Sequence, residues 1–514
     1  MTRDGRVVRE LVGRIVGFGF SGTQVNERAR KLVRDMRVGM IPLFSHNLED
    51  ATQAVKLAGD LQELALGAGR EAPLLLAADQ ENGTVRRLPG DFVRFPGHMA
   101  LAAANDPAFT GAIGRATGQQ LRAVGINMDL APVLDVNIDP DNPVIGVRSF
   151  GEEPQRVAAQ GTAFIRGLQE AGVFACAKHF PGHGDTKVDS HLGLPRVASG
   201  RARLEAVELA PFRAAIAAGV DALMTAHVAY GALDDSGLPA TLSRRIITGL
   251  LRTEMGFSGV VVTDSMGMKA IADGVGPARG AVMALAAGCD LILVGHGEER
   301  QQAVYRALVE AVETGAVPFA RLEEAAGRVT GLRRRLVGRP AAIPLTAAAL
   351  TVHDRLARVA GYRAVTVIHG REALPLQLRP GEALGLLQFV GPDAVHGAVE
   401  HAEGGAFAAE LLQIWPAVVR LFAPPEGAGD SAAELNWAAS TETLRDVRFV
   451  IVELPSAADG RVRSVLDAMV RLDKVVIGYA GRSPYAAGRL TQLARRVSPH
   501  TTRLRRRLRR RRAC

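Results

Sequence analysis

The chain has 514 residues, of which 47% are hydrophobic and 22% charged, and a formal net charge of +9. This composition excludes disordered and fibrous proteins and is typical of a globular chain. The last twelve residues, 503–514, contain eight arginines and no acidic residue, so the rest of the chain is almost neutral. The positive charge is therefore a property of the tail.

The cysteines and the N-terminal sequence bear on the compartment in which the protein works. Cys176, Cys289 and Cys514 have no paired spacing, which argues against a disulfide framework or a cysteine zinc site and indicates a reducing compartment. The first residues contain no apolar run before a cleavage site, and no stretch reaches the roughly 18 uncharged apolar residues of a membrane span. We therefore expect a cytoplasmic protein without a transmembrane segment.

Eight short apolar runs recur through the first 335 residues, each followed by a loop and a longer helical segment. They are continuous rather than alternating, which is typical of parallel strands buried on both faces. The runs lie at 14–20, 38–44, 74–78, 126–132, 173–177, 222–226, 259–263 and 291–295. Eight such units predict an α/β fold with a (β/α)8 TIM-like barrel over residues 1–336. An open doubly wound sheet is the alternative.

A second, smaller α/β domain is predicted over residues 353–500, with an αβα sandwich-like arrangement. The segment 337–352 has the proline and alanine content of a linker, and apolar runs follow at 364–368, 383–390, 449–454 and 474–479. This region contains no motif that indicates chemistry. Residues 501–514 form the arginine-rich tail, which we expect to be disordered and solvated.

Polar residues follow the predicted barrel strands at their carboxyl ends, where barrel enzymes have their active sites. They are Asp79 after strand three, Asp135, Asn137 and Arg148 after strand four, Lys178 and His179 at the end of strand five, then His227, Asp264 and His296 after strands six to eight. Each also has a structural interpretation. Asp79 and Asp264 fit helix caps or turns, and a turn role is favoured for Asp135 and Asn137. His227 and His296 fit core or rim positions, and Arg148 fits the surface. The charged pair at 178–179 is harder to explain in this way, because it ends an apolar run and is costly without a partner or a ligand.

The densest cluster is the segment 178–191, which allows either a metal site or acid/base chemistry. His179, His183 and Asp185 have a tolerable spacing for metal ligands, but residues 17–22 lack the His-x-His that barrel metallohydrolases carry after strand one. For acid/base chemistry, Asp189 lies two residues before His191 and can orient its ring and raise its basicity. We therefore favour acid/base chemistry and expect no metal.

A retaining glycosidase needs a nucleophile below the anomeric carbon and a separate acid/base above the leaving oxygen. Asp264 at a strand end suits the first role, and His191 on a loop, oriented by Asp189, suits the second. Charged and hydrogen-bonding side chains would bind the sugar hydroxyls; these are Asp79, Arg87, Arg148, Lys178 and His179.

Five linked motifs resemble glycoside hydrolase family 3, in its β-N-acetylhexosaminidase branch and two-domain form. They are KHFPGHGDT at 178–186 with Asp189-Ser-His191, DQExG at 79–83, APVLDVN at 131–137, PVIGxRSFG at 143–151 and VTDSM at 262–266. The resemblance covers essentially the first 335 residues. It implies that Asp264 is the covalent nucleophile and that His191 with Asp189 is the acid/base. It also implies that Asp79, Arg87, Arg148, Lys178 and His179 hold the N-acetylglucosamine ring in the −1 subsite.

The same resemblance implies a substrate and the absence of any metal or organic cofactor. The substrate would be a peptidoglycan fragment that releases N-acetylglucosamine from N-acetylmuramic acid or its 1,6-anhydro form, with or without peptide. Alternatives on the same site are a phosphorylase acting on β-N-acetylglucosaminides and a β-glucosidase. A metal-dependent barrel hydrolase is a further alternative. The remaining alternative is binding of nucleic acid or anionic lipid by the tail, although no specific nucleic acid partner is expected.

Two departures from the family pattern stand out. Asn82 and Thr84 replace residues that are more often Gly and Arg in the strand-three motif. The second domain resembles the family only to about residues 483–485, after which the chain becomes arginine-rich. Two hypotheses account for this change: the second domain is truncated, or the last residues come from an altered reading frame.

Overall fold

The structure is a computed structural model that describes residues 5–366 continuously. Beyond them it describes the short stretches 377–379, 382–389, 411, 418–423, 447, 449–453 and 475–479. The predicted tail and most of the predicted second domain lie outside the described residues. Contacts divide the chain into two compact units, and the first extends from the N-terminus to Val365.

The first unit is built on an eight-stranded parallel barrel. Its strands are β1 (Val16–Phe18), β2 (Met40–Pro42), β3 (Leu75–Ala78), β4 (Met128–Asp129), β5 (Phe174–Phe180), β7 (Ala222–Thr225), β9 (Val260–Thr263) and β10 (Ile292–Val294). They pair in the order β10-β1-β2-β3-β4-β5-β7-β9, and a parallel bridge between Val262 and Leu291 joins the two ends. Seven predicted runs contain one of these strands, and the run at 173–177 overlaps β5, which continues to Phe180. The predicted TIM-like barrel is therefore confirmed against the open sheet.

Two further short strands, β6 (Arg196–Val197) and β8 (Ala229–Tyr230), pair with each other outside the barrel sheet. Helices surround the barrel and connect its strands. They are α1 (Gly5–Arg14), α2 (Glu27–Arg30), α3 (Ala51–Gly67), α4 (His98–Ala103), α5 (Pro107–Ala123), α6 (Pro154–Glu170), α7 (Arg201–Ala206), α8 (Ala210–Ala217), α9 (Lys269–Ala272), α10 (Pro277–Ala287), α11 (Glu298–Glu313), α12 (Phe319–Arg334) and α13 (Ala347–Ala364), with π-helical turns at Lys31–Asp35 and Arg245–Glu254.

Local signals in the sequence begin several of these helices. The side chain of Asp50 accepts a hydrogen bond from the Gln53 amide at the start of α3, and Asp106 accepts one from the Phe109 amide at the start of α5. Both satisfy an amide that the first helical turn leaves without a partner. Pro107 occupies the first position of α5, where its missing N–H costs nothing.

The barrel interior is filled by alternate residues of the strands. Leu75 and Ala77 of β3 and Phe174 and Cys176 of β5 belong to one buried cluster. It also includes Leu332 and a second apolar residue of α12, together with an apolar residue just after this helix. The helix is placed at the amino ends of the strands, because the Arg333 guanidinium donates to the carbonyls of Ala72 and Pro73 just before β3. The amino end of the barrel is thus closed by α12, and its carboxyl end remains for the polar residues.

Helix α13 packs on the barrel helices. The imidazole Nε2 of His353 lies 2.8 Å from Gln119 Oε1 of α5, and Arg363 donates to Asp106 at 2.9 Å. The first unit therefore continues past residue 352, where we predicted that the second domain begins.

The described part of the second unit contains four parallel strands, β11 (Leu384–Phe389), β12 (Val418–Ala423), β13 (Phe449–Glu453) and β14 (Val475–Tyr479), in the order β12-β11-β13-β14. Three predicted runs coincide with β11, β13 and β14, whereas β12 was not predicted. The run predicted at 364–368 begins instead with the last residue of α13. In the part of the chain that the structure describes, no helix is both long and apolar enough to span a membrane.

Replacing Leu332 tests the role of α12 as the apolar closure of the barrel. Because Leu332 is buried in the barrel cluster, Leu332→Ala should lower the free energy of unfolding by about 2–5 kcal/mol. Urea unfolding followed by circular dichroism measures this loss. Leu350→Ala on the exposed face of α13 is the matched control and should change stability by less than about 0.5 kcal/mol. Equal losses in the two variants would contradict the closure.

Candidate active site

The carboxyl ends of the barrel strands bring the predicted site residues together. Asp79 follows β3, Lys178 and His179 lie in the last part of β5, and Asp264 follows β9. Because all eight strands are parallel, these ends meet on one face of the barrel. The loop after β5 carries Asp189 and His191 to the same face.

A compact ion network connects the residues that we predicted to bind the sugar. Lys178 Nζ lies 2.7 Å from Asp79 Oδ1 and 2.6 Å from Glu81 Oε1. Arg148 makes a bidentate pair with Glu81, with both distances at 2.8 Å. Arg87 Nη2 lies 3.7 Å from Asp79 Oδ2. Glu81 is therefore the shared partner of two predicted binding residues, although we did not predict it as a site residue.

The network is charged although most of it is buried. Burial alone would raise the pKa of Glu81, but Arg148 and Lys178 hold this pKa well below its ordinary range. Burial would lower the pKa of Lys178, but Asp79 and Glu81 outweigh it and raise this pKa. The side chain of Glu81 is 2% exposed and that of Asp79 is 22% exposed. Asp79 is therefore the carboxylate of the network that a ligand can reach.

Asp135, in the segment that follows β4, organises the end of β5. Its Oδ2 lies 2.7 Å from His179 Nδ1, and its Oδ1 accepts the backbone amides of His179 at 3.1 Å and His183 at 2.6 Å. Burial alone would raise the pKa of Asp135, but the two histidines lower it. The turn role that we favoured for Asp135 is therefore wrong. Asn137, in contrast, accepts the Gly146 amide and stays a loop residue.

His183 and Gly184 attach the loop after β5 to the barrel. His183 Nδ1 lies 2.8 Å from Thr186 Oγ1, and its Nε2 lies 3.1 Å from Ser190 Oγ. A Cβ on Gly184 would lie 1.8 Å from the Val136 carbonyl oxygen, so only glycine fits there. Burial lowers the pKa of His183 to about 4, which leaves its ring neutral.

Asp189 and His191 form the predicted dyad. Asp189 Oδ1 accepts the backbone amide of His191 and lies 2.8 Å from its Nδ1. The hydrogen bond to Asp189 raises the pKa of His191, against the effect of partial burial. His191 is about a third exposed whereas Asp189 is buried. With Nδ1 on Asp189, the Nε2 of His191 is the nitrogen that can exchange a proton with a ligand.

Asp264 is surrounded by histidines. Burial alone would raise the pKa of Asp264, but the nearby rings of His227, His179 and His191 lower it, as does the Ser265 amide, which donates to its Oδ1 at 2.6 Å. His227 is itself held by Thr241, at 2.8 Å from its Nδ1. Asp264 is consequently an ionised carboxylate, and it lies close enough to His191 to raise the pKa of that ring.

His296 lies against aromatic rings. Its ring centroid lies 4.3 Å from that of Phe44 and 5.4 Å from that of His46, so it belongs to an aromatic cluster after β2 and β10. The residues that the metal alternative would use as ligands bind other protein groups. Asp185, for example, accepts a hydrogen bond from Ser199 at 3.0 Å. Among the described residues there is no group of three or more His, Cys, Asp or Glu that could hold a metal ion.

The departure from the family pattern at Asn82 has a local structural role. Asn82 adopts a φ of 67° in the turn after β3, a conformation that asparagine tolerates better than most residues. Its side-chain amide donates to Thr117 Oγ1 of α5 at 3.0 Å. Asn82 therefore joins the turn that carries Glu81 to a barrel helix.

Comparison with known proteins places these features in a family. Residues 7–332 match the glycosyl hydrolase family 3 N terminal domain. The chain is 35% identical over 370 residues to Beta-hexosaminidase A of Pseudoalteromonas piscicida, a match that spans 68% of this chain and 62% of that relative, less than two thirds of its length. It is 39% identical over 296 residues to a Beta-hexosaminidase of Alkalilimnicola ehrlichii, covering 56% of this chain and 83% of the relative.

Solved structures that resemble this chain include a member of the same family. A glycoside hydrolase family 3 beta-N-acetylglucosaminidase from Paenibacillus sp. FPU-7 matches with a TM-score of 0.83 and 37% identity, covering 91% of this chain and 89% of that chain. NagZ from Neisseria gonorrhoeae matches with a TM-score of 0.56 and 30% identity, covering 68% of this chain and 98% of that chain.

The ion network predicts different outcomes for its two carboxylates. Glu81→Gln leaves Lys178 and Arg148 without their buried counter-charge, so it should cost about 3–5 kcal/mol of stability. Asp79→Asn at the more exposed position should cost less than about 1 kcal/mol while lowering kcat/KM. Thermal unfolding and kinetics of the two variants check this. A fully stable Glu81→Gln variant would contradict the role of Glu81.

Proposed function

The chain belongs to glycosyl hydrolase family 3, and on that premise we propose that it is a retaining exo-β-N-acetylglucosaminidase. It removes terminal, non-reducing N-acetyl-β-D-glucosamine. The observation that carries the proposal is the juxtaposition of the ionised Asp264 carboxylate with the Asp189–His191 dyad. A carboxylate nucleophile and a separate acid/base are the two groups that retaining hydrolysis requires.

In the first step, Asp264 attacks the anomeric carbon while His191 donates its Nε2 proton to the leaving glycosidic oxygen. The C–O bond breaks and a covalent glycosyl-Asp264 ester forms. In the second step, the now neutral His191 takes a proton from water, and this water displaces Asp264. Two displacements at the same carbon retain its configuration. Asp189 stabilises the imidazolium before the first step and fixes the tautomer of the ring.

The ion network supports the proposed −1 subsite. Asp79 is the reachable carboxylate and accepts hydrogen bonds from sugar hydroxyls, with Arg87 beside it. Lys178 and Arg148 are held by Glu81, so their positions do not depend on a ligand. His179, fixed through Asp135, lies close to Asp264 and completes the subsite. Such preorganisation lowers the cost of orienting the sugar.

The proposed natural substrate is a peptidoglycan fragment in which N-acetylglucosamine is joined to N-acetylmuramic acid or its 1,6-anhydro form. The basis for this assignment is the resemblance of the five motifs to the β-N-acetylhexosaminidase branch, together with the relatives named Beta-hexosaminidase. In this proposal every chemical step is carried by side chains of the protein itself.

Substitution of the two proposed catalytic residues tests the mechanism on aryl N-acetyl-β-glucosaminides. Asp264→Asn should lower kcat by at least about 10³-fold for every substrate, because no carboxylate remains to attack the sugar. His191→Ala should lower kcat/KM by about 10²-fold or more for poor leaving groups, and much less for nitrophenyl leaving groups that need no proton.

Asp273→Asn on the exposed end of α9 makes the same chemical change as Asp264→Asn outside the site and should keep full activity. Equal losses on good and poor leaving groups in His191→Ala would contradict the acid role of His191. Aryl β-glucosides assayed in parallel test the sugar specificity. Accumulation of a sugar 1-phosphate in phosphate buffer would identify a phosphorylase instead.

The Asp189–His191 dyad predicts how kcat/KM changes with pH. His191 acts first as an acid, so kcat/KM is high below the pKa of His191 and falls as the pH rises through it. Asp189 raises this pKa, so Asp189→Asn should shift the alkaline limb of the profile to lower pH. The pH dependence of kcat/KM measures the shift, with Asp273→Asn as the control. An unchanged alkaline limb together with reduced activity would contradict this electrostatic role.

A further inference from the structure

A second charged cluster lies at the amino end of the barrel, away from the proposed active site. Arg14, Arg37 and Arg70 lie shortly before β1, β2 and β3, and Arg333 lies at the end of α12. The four guanidinium groups line a cavity of about 50 Å³. Its other polar lining residues are Glu10, Glu71 and Thr330.

The carboxylates of the cavity do not neutralise its arginines. Glu10 Oε1 accepts a hydrogen bond from Arg14 at 2.8 Å and lies 3.7 Å from Arg37 Nη2. Glu71 is largely exposed and pairs with Arg334, which does not line the cavity. With four guanidinium groups and two carboxylates, the lining carries a net charge of two positive units.

The arginine side chains of this cavity repel one another and are partly shielded from water. Burial, followed by the charges of Arg333, Arg37 and Arg14, lowers the pKa of Arg70 to about 9. Burial and the charges of Arg14 and Arg37 lower the pKa of Arg333 to about 10. Both groups remain charged at neutral pH, so an anion in the cavity would relieve a repulsion that Glu10 and Glu71 compensate only in part.

Two residues that line this cavity carry a buried donor that has no hydrogen-bond partner among the described residues. Arg70 donates through Nη1 and Nη2 to the carbonyls of Val38 and Val33, at 2.6 and 2.8 Å. Its Nε and the hydroxyl of Thr330 have no hydrogen-bond partner among the described residues, although the two residues are only 8% and 9% exposed. A buried donor without a partner normally costs about 1–3 kcal/mol.

We propose that this cavity binds a small tetrahedral oxyanion, such as phosphate or sulfate in its dianionic form. Two negative charges balance the two excess positive charges of the lining, and the cavity leaves room for only a few non-hydrogen atoms. Arg70 and Arg333 are held by backbone carbonyls, so the site exists before the anion arrives. Because it lies at the opposite end of the strands, the anion binds without entering the proposed active site.

Thermal unfolding of the full chain at pH 7.5 and constant ionic strength measures this binding. Replacing chloride by phosphate should raise the melting temperature by about 2–4 °C, with saturation in the millimolar range. Sulfate should act in the same way. A rise that grows without saturation would indicate the general salting-out effect of these anions and would overturn the proposal, as would the absence of any rise.

Two variants assign the effect to the cavity. Thr330→Val removes the buried hydroxyl at constant shape, and Arg14→Gln removes one charge. Each should raise the phosphate midpoint, the concentration that gives half of the maximal rise in melting temperature, at least tenfold. Arg213→Gln on the exposed face of α8 is the matched control and should leave the midpoint unchanged. All three variants should keep full hydrolase activity, and all retain the arginines of residues 503–514. Equal midpoints in Arg14→Gln, Thr330→Val and Arg213→Gln would assign the binding elsewhere and overturn the proposal.

Discussion

Each charge buried at the carboxyl end of the barrel needs a partner of opposite sign within hydrogen-bond distance, because an ionised group in a dry interior is costly. The arrangement of the site follows from this requirement. Glu81 accepts both Lys178 and Arg148, so the two cations are fixed before any ligand arrives. Asp135 fixes His179 in the same way. It also accepts the backbone amide of His183, in the loop that leads to the dyad.

The barrel could be predicted from the sequence because its strands are buried on both faces and therefore appear as continuous apolar runs. The candidate site could be predicted only in part. Asp264, His191 and Asp189 are recognisable from local pattern and from the family motifs. Glu81 and Asp135 lie within two of these motifs, but their roles could not be predicted, because their partners lie 67 and 44 residues away along the chain. A carboxylate beside a turn looks the same in sequence whether it caps a helix or orients a histidine.

Secondary structure could also be predicted only in part, because some elements depend on tertiary contacts. Strand β12 (Val418–Ala423) contains Arg420 in its middle, so it does not present a continuous apolar run. Its place beside β11 is set by pairing along six residues, which is a tertiary interaction. Helix α13 begins inside the segment that we predicted as a linker, because its exposed alanine-rich start has the composition of a linker. Contacts such as that of His353 with Gln119 assign it to the barrel.

The proposed nucleophile and the proposed acid/base both lie on the barrel, the first at a strand end and the second on the loop after β5. Every residue to which we assign chemistry therefore falls between Asp79 and Asp264, within the first unit. The proposed chemistry therefore constrains the sequence of this interval. The proposed reaction assigns no chemical step to the described residues after Val365, so the same reaction is compatible with different modules joined to one barrel.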